Sequence, residues 1–325
     1  MSEYKIGSLR LKNRVFLAPM AEMNDIAFRL LCKRAGAGLT YTGMVNPRTE
    51  QKLILDDKPA IQLFCVNDVG VEKFIKKYEK KASLFDFNLG CPSKVARRIG
   101  FGAFMNHKLE MIEKILRVMR QATKKPITIK LRKTKNTEKI IKIAEKYCDA
   151  ICIHPRTIQQ GYSGNPDVGF ALMVKKKTKL PVIYSGNVNL GNVTELLEKF
   201  DFVMIGRAAL GNPSIFAKIT EKNKETNFGC QEPSVNDWWH EDATLRVVLD
   251  HTQNSMGVSN HLLKKSGILM FEDYLRLAGR YKLYFSQIKL QAMNFTKGRE
   301  NAAELREKLV KCKTLKEIKD VMWVC

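Results

Sequence analysis

Short apolar runs recur along the chain, and segments in which apolar residues return every three or four positions lie between them. A brief apolar run bounded by polar residues predicts a strand buried on both faces; the longer period predicts an amphipathic helix. Strands are expected at Val15–Ala18, Leu39–Thr42, Ala60–Phe64, Leu84–Asn88, Ile127–Lys130, Ala150–Ile153, Val182–Ser185 and Phe202–Ile205. Helices are expected at Ala27–Ala35, Val69–Ala82, Leu109–Thr123, Thr137–Tyr147 and Gly191–Lys199. Thr137 before Glu138 marks a helix start, and Gly36 after Lys33-Arg34-Ala35 a helix stop. Repeated strand–helix alternation of this kind predicts an α/β fold, a TIM-type (β/α)8 barrel. An open doubly wound sheet would call for Gly-x-Gly-x-x-Gly after the first strand. That strand runs instead into Ala18-Pro19-Met20-Ala21.

The rhythm stops after Gly211-Asn212-Pro213-Ser214. The polar stretch Asn223–Asn236, with Gly229 and Pro233, reads as a linker. Beyond it the patterns are helical only, at Ala243–Asn254, His261–Gly279, Lys282–Asn294, Asn301–Val310 and Thr314–Val324. The expected organisation is a catalytic barrel over residues 1–235 and an all-helical domain over 236–325.

Composition narrows the class. The chain has 325 residues, 45% of them hydrophobic, enough for a large core. It has no apolar run long enough for a transmembrane helix, and Met1–Lys5 shows no secretory leader pattern. The cysteines at 32, 65, 91, 148, 152, 230, 312 and 325 form no Cys-x-x-Cys pair. That speaks against a zinc site or a disulfide scaffold, so no metal is expected, and it suits a reducing cytoplasmic setting. Cys148 and Cys152 read as core residues at a helix end and the following strand.

Net charge is +23, unevenly spread. Residues 73–135 carry 18 Lys/Arg against 4 Asp/Glu, and residues 264–320 carry 14 against 7. A polyanionic partner and a generally lysine-rich surface both account for such numbers. The imbalance of sign favours the partner.

In a barrel of this type, functional residues lie at the C-terminal ends of the strands. In order, those ends carry Pro19-Met20, Thr42-Gly43, Gln62, Asn88 with Cys91, Lys130 with Arg132, His154, Ser185-Gly186-Asn187 and Gly206-Arg207. In Asn88-Leu89-Gly90-Cys91-Pro92, glycine and proline break regular pairing, so Cys91 belongs on a bent loop at a strand mouth. A thiol there is placed for chemistry; a buried structural cysteine is the alternative. The glycines after the seventh and eighth strands, with Arg207, suit a phosphate held by backbone N–H groups, or are ordinary turn glycines. Lys130 is placed to face a negative group on a cofactor ring, or is a solvated lysine at a strand tip.

These segments together resemble the tRNA-dihydrouridine synthases, flavin enzymes that reduce uridine in tRNA. The resemblance runs from about Val15 to Phe216, with a weaker echo beyond. It is carried by Leu17-Ala18-Pro19-Met20-Ala21, Asn88-Leu89-Gly90-Cys91-Pro92, Gly100-Phe101-Gly102-Ala103 and Lys130-Leu131-Arg132. It continues in His154-Pro155-Arg156-Thr157 through Tyr162, and in Met204-Ile205-Gly206-Arg207 through Pro213. The chain departs from the family pattern at Glu22-Met23-Asn24-Asp25, at Gly43 where the family often has glutamate, and at Ser185 where it usually has asparagine.

The resemblance implies a tightly bound FMN touched by Pro19, Met20, Ala21, Gln62, Lys130 and His154. Its phosphate would lie near Ser185, Gly186, Asn187, Gly206 and Arg207. Hydride would pass from reduced FMN N5 to uracil C6, and a proton from Cys91 to C5, with NADPH or NADH as electron source. Asn88, Arg132 and Tyr162 would hold the base, which must leave its stack to reach the flavin. The tRNA backbone would be gripped by Lys94, Arg97 and Arg98, and by Lys289, Lys297 and Arg299 of a helical tRNA-binding domain. No membrane and no obligate protein partner is implied. Tyr281–Phe285, mixing aromatic and basic residues, suits either RNA or an apolar helix face. Two other readings stand beside this one: a small-molecule pyrimidine oxidoreductase on the same kind of barrel, and an RNA-binding protein with an inactive barrel. Neither accounts for the charge and for the whole residue set together.

Overall fold

Eight strands are buried along nearly their whole length, which is why their sequences read as apolar runs. The computed structural model describes residues 4–49, 52–226 and 260–323. A hairpin, β1 (Tyr4–Ile6) and β2 (Leu9–Leu11), precedes β3 (Val15–Leu17), α1 (Ile26–Arg34), β4 (Tyr41–Val45) and β5 (Ala60–Leu63). Then follow α2 (Val71–Tyr78), β6 (Phe85–Leu89), α3 (Lys94–Ile99), α4 (Leu109–Ala122) and β7 (Ile127–Arg132). The series ends with α5 (Thr137–Tyr147), β8 (Ala150–His154), α6 (Val168–Lys177), β9 (Val182–Ser185), α7 (Val193–Lys199), β10 (Phe202–Ile205) and α8 (Ile215–Thr226).

Strands β3 to β10 pair in parallel in the order β3-β10-β9-β8-β7-β6-β5-β4. The ring closes between β3 and the residues before β4, through a parallel bridge of Phe16 with Leu39 and a 2.9 Å bond from Leu17 N–H to Leu39 C=O. This is the expected barrel. Strand β4 begins later than its apolar pattern and continues through Gly43, with a register shift against β5 between Tyr41 and Met44. A side chain at Gly43 would meet the Met20 carbonyl at 3.3 Å, so the loop after β3 packs directly on this bare stretch of backbone.

The hairpin was not visible in the periodicity, because three-residue strands fall below any window that resolves alternation. Its inward residues Ile6 and Leu11 are buried in one cluster with Phe16, Leu39, Ala60, Leu84, Ala150 and Phe202. Most of these stand at the starts of barrel strands, so the hairpin covers the N-terminal end of the barrel. Helices α3 and α6 were also unread. Each starts at a side chain that accepts an N–H of its first turn, from Ala96 to Ser93 and from Phe170 to Asp167.

The chain divides into two compact units: residues 1–209 with 213–217, and residues 210–212 with 218–325. In the second unit, α9 (Asn260–Arg280), α10 (Phe285–Phe295), α11 (Ala302–Lys311) and α12 (Leu315–Trp323) lie close to the expected helices. Phe271, Tyr274, Phe295 and Trp323 form its aromatic centre, and Trp323 Nε1 donates to Glu272 at 2.9 Å. The helix expected at Ala243–Asn254 and the boundary at 235/236 lie outside the described residues. So does the expected linker, except residues 223–226, which belong to α8.

Ile6→Ala is expected to destabilise the barrel by about 2–5 kcal/mol, the cost of emptying a fully buried site. Urea unfolding followed by barrel tryptophan-free probes such as far-UV circular dichroism would read it. A loss below about 0.5 kcal/mol would mean that the hairpin is not part of the core.

Candidate active site at the barrel mouth

The Cys91 loop is held from four sides. Asn88 Oδ1 accepts from Gly90 N–H at 3.1 Å and from Cys91 N–H at 3.0 Å. Arg132 Nε donates to Gly90 C=O at 2.8 Å, and Ala103 N–H donates to Cys91 C=O at 3.1 Å. Gly102, at φ 62°, lies so close that an added Cβ would stand 2.9 Å from Cys91 Cβ, so only glycine fits there. The thiol itself is partly exposed and donates to Ser93 Oγ at 3.4 Å.

Beneath the loop runs a buried chain of polar side chains. Strand register sets Gln62 beside Asp86 beside Thr128, and Asn88 beside Lys130. Asn88 Nδ2 donates to Gln62 Oε1 at 2.8 Å, and Gln62 Nε2 donates to Asp86 Oδ2 at 2.6 Å. Thr128 Oγ1 donates to Asp86 Oδ1 at 2.5 Å. Burial raises the Asp86 carboxyl to about 6, although the Thr128 and Gln62 hydrogen bonds and the Lys130 charge all pull it down. Gln62 is 0% exposed with both amide atoms bonded inside the protein, so it acts on the mouth from below through Asn88.

Around the mouth stand cations and one aromatic ring. Tyr162, 57% exposed, lies with Arg132 at 5.2 Å and Arg207 at 5.3 Å from its ring centre, and with the His154 ring at 6.1 Å. Arg132 is buried and also donates to Thr157 C=O at 3.1 Å and Gly161 C=O at 2.6 Å, tying the Cys91 loop to the loop that carries Tyr162. His154 is pushed down to about 2 by burial and by the charges of Lys130, Arg132, Arg156 and Arg207, so its ring is neutral.

At the next two strand ends, Ser185 and Gly186 are buried, Asn187 and Arg207 are exposed, and Gly206 is partly exposed. Arg207 Nη2 donates to Asn187 Oδ1 at 3.0 Å. Pro19 and Met20 are half-buried on the loop after β3, and Ala21 is exposed. Asn24 pins this loop, its Nδ2 bonding to the carbonyls of Ala18 and Tyr41, both at 2.8 Å. The barrel thus gathers the residues expected at its strand ends.

Lys94, Arg97 and Arg98 lie exposed on α3, the helix leaving the Cys91 loop, with Arg97 over the Phe104 ring at 5.4 Å. Lys289 and Arg299, singled out in the helical unit, also do internal work. Lys289 Nζ donates to Val310 and Cys312 carbonyls at the end of α11, and Arg299 Nη1 to Met322 C=O in α12. Lys297 is exposed.

Sequence reasoning passed over Asp86, Thr128 and Ser93, and gave Arg156 no role of its own. Asp86 had a signal: a carboxylate in the apolar strand Phe85–Leu89, two residues before Asn88 and therefore on the same face. Among the described residues, no cluster of His, Cys, Asp and Glu suited to a metal is present, and no helix is long and apolar enough to cross a membrane.

A family model described as Dihydrouridine synthase (Dus) matches residues 16–320. A probable tRNA-dihydrouridine synthase of Rickettsia bellii is 33% identical over 274 residues, 77% of this chain and 81% of that protein. The tRNA-dihydrouridine synthase B of Pasteurella multocida is 30% identical over 272 residues, 77% of this chain and 79% of that protein. Among solved structures, TcOYE with pHBA is similar at a TM-score of 0.51 and 10% identity, over 72% of this chain and 94% of that one. That last likeness is one of fold.

The Asp86 carboxyl generates a pH dependence. Its folded value, about 6, lies above the ordinary aspartate value near 3.9, so between them the folded barrel holds the proton more firmly than the unfolded chain. Stability should therefore fall as pH rises from about 4 to about 6, relative to Asp86→Asn, whose amide does not titrate. Melting temperatures of both proteins across that range would test it. A difference that is flat or rises with pH would contradict the buried carboxyl.

Proposed function

The chain belongs to the dihydrouridine synthase family of flavin-dependent oxidoreductases, and from that premise we propose that it reduces uridine in tRNA to 5,6-dihydrouridine using FMN. The observation that carries the reading is Cys91: a partly exposed thiol on a loop pinned by Asn88, Arg132 and Ala103, at the mouth of a barrel ringed with cations.

The mouth suits a flavin phosphate and a ring bearing carbonyl acceptors. A side chain at Gly186 would meet Pro166 Cβ at 3.0 Å and His154 Cδ2 at 3.4 Å, so only glycine backbone fits beside these two residues, with Arg207 nearby through Asn187. Ser185, Gly186, Asn187, Gly206 and Arg207 would hold the phosphate, and Pro19, Met20, Ala21, Lys130 and His154 the ring. Bound there, FMN would supply hydride chemistry toward uracil C6, with NADPH or NADH as the electron source. Cys91 donates the proton to C5 as the general acid at the mouth. Arg132 and Tyr162 hold the base at the mouth, while Asn88 and Gln62 hold the loop that aims the thiol.

The chain's +23 charge answers the phosphates of tRNA. Lys94, Arg97 and Arg98 stand nearest the thiol in sequence and are exposed, so they grip the backbone beside the target nucleotide. We assign the helical unit to the rest of the tRNA, with Lys297 facing phosphates and Lys289 and Arg299 holding the helices in place. The division of labour follows the expected domains, 1–235 for chemistry and 236–325 for tRNA, in a cytoplasmic enzyme.

Cys91→Ala should retain FMN and still accept electrons from the nicotinamide, yet form dihydrouridine about 10²–10⁴-fold more slowly. Stopped-flow reduction and reoxidation of the flavin by tRNA would separate the two steps. Wild-type turnover on tRNA would remove Cys91 from the mechanism.

Replacing Lys94, Arg97 and Arg98 together with glutamine should weaken tRNA binding and flatten the slope of log K against log salt by about 0.7–0.9 per lost phosphate contact. Filter binding at several salt concentrations would measure it. An unchanged slope would place the backbone elsewhere.

A further inference from the structure

Arg156 is buried beneath the mouth with all its partners inside the protein. Its Nε donates to Ser163 C=O at 3.0 Å and its Nη2 to Gly164 C=O at 2.5 Å. Both carbonyls belong to the loop between β8 and α6, and Arg156 itself is 0% exposed. With the guanidinium fixed in this way, its Nη1 stands 3.1 Å from His154 Nε2.

A guanidinium has five N–H donors and no acceptor. The ring nitrogen facing it must therefore accept with a lone pair and carry no proton. A neutral imidazole has one N–H, which is then on Nδ1. The ring is neutral because it is buried and because the charged groups acting on it are cations: Lys130 and Arg132 from β7, Arg156 from its own loop, and Arg207 from the end of β10. Nδ1 has no hydrogen-bond partner among the described residues, and it is not among the side-chain atoms sealed from solvent without one. A single N–H donor thus stands unused at the mouth.

We propose that Arg156 is a positioning residue that locks His154 in the Nδ1–H tautomer, so that the ring presents a hydrogen-bond donor to an acceptor atom of the bound flavin. The target of the donor rests on the flavin reading above; the lock itself does not. His154 in this state holds a proton in place. It does not exchange one with substrate, which leaves proton delivery to Cys91.

The test is ¹⁵N spectroscopy of the histidine rings in the full chain, with and without added FMN. The chain has 5 histidines, and a His154→Gln sample identifies the signals of His154. Wild-type protein should show a protonated Nδ1 and a bare Nε2 at His154, unchanged from about pH 5.5 to 8, where an ordinary histidine with pKa near 6.5 titrates. Arg156→Met should release the tautomer, giving a mixture or a proton on Nε2, and weaken FMN binding about tenfold for one misplaced hydrogen bond. Arg156→Lys, which restores a donor, should recover much of the wild-type signal.

A charged ring at pH 7, or a proton on Nε2, in the wild-type protein would overturn the proposal without reference to any variant. So would an Arg156→Met protein whose His154 signals match the wild type. A folded wild-type chain that binds no FMN would instead overturn the flavin reading, and with it the donor's target, while the ring signals would still decide the lock.

Discussion

The direction of one buried hydrogen-bond chain underlies the site. An ionised carboxylate only accepts, and backbone N–H groups only donate. Asp86 occupies one end, and the Gly90 and Cys91 amides occupy the other. Between them Gln62 and Asn88 have one consistent orientation, each passing its N–H group toward Asp86 and its oxygen toward the loop. Every polar atom in this series is paired, which a buried polar network needs if it is to hold one geometry. The thiol's position is thereby set by strands β5, β6 and β7, elements of the barrel wall, and not by the loop alone.

A second constraint comes from charge. Lys130, Arg132, Arg156 and Arg207 all act on one histidine. Buried cations are tolerated where their donors are met, and Arg132 and Arg156 meet theirs with backbone carbonyls of the Gly90 and Thr157–Gly164 segments. The same bonds order the two loops that frame the mouth. Carbonyls satisfy the donors without cancelling the charge, so the mouth keeps a positive field suited to phosphate-bearing ligands. The stacking of Tyr162 with Arg132 and Arg207 places an aromatic face in that field.

Much of this was legible in the residues. Strands such as Ala150–His154, buried at every position, leave a run that nothing but a doubly covered strand explains. Their polar ends announced the mouth, and Gly90 and Pro92 announced a bend around Cys91. Arg132 was equally visible as a strand-end residue, but its three backbone carbonyl partners lie 25 to 42 positions away and leave no pattern in the chain. Lys289 and Arg299 were visible only as basic residues in a basic region, and the helix-end carbonyls to which they donate lie 21 to 23 positions away.

The sequence by itself determined the eightfold alternation, the strand ends at which chemistry gathers, and the family, because periodicity and short motifs are local. The tertiary structure alone decided which polar side chains meet. Barrel closure brings Phe16 to Leu39, and parallel register sets Gln62, Asp86 and Thr128 side by side. Those contacts join residues 20 or more positions apart, so whether Asn88 faces a substrate or holds a loop depends on a register that no local pattern encodes.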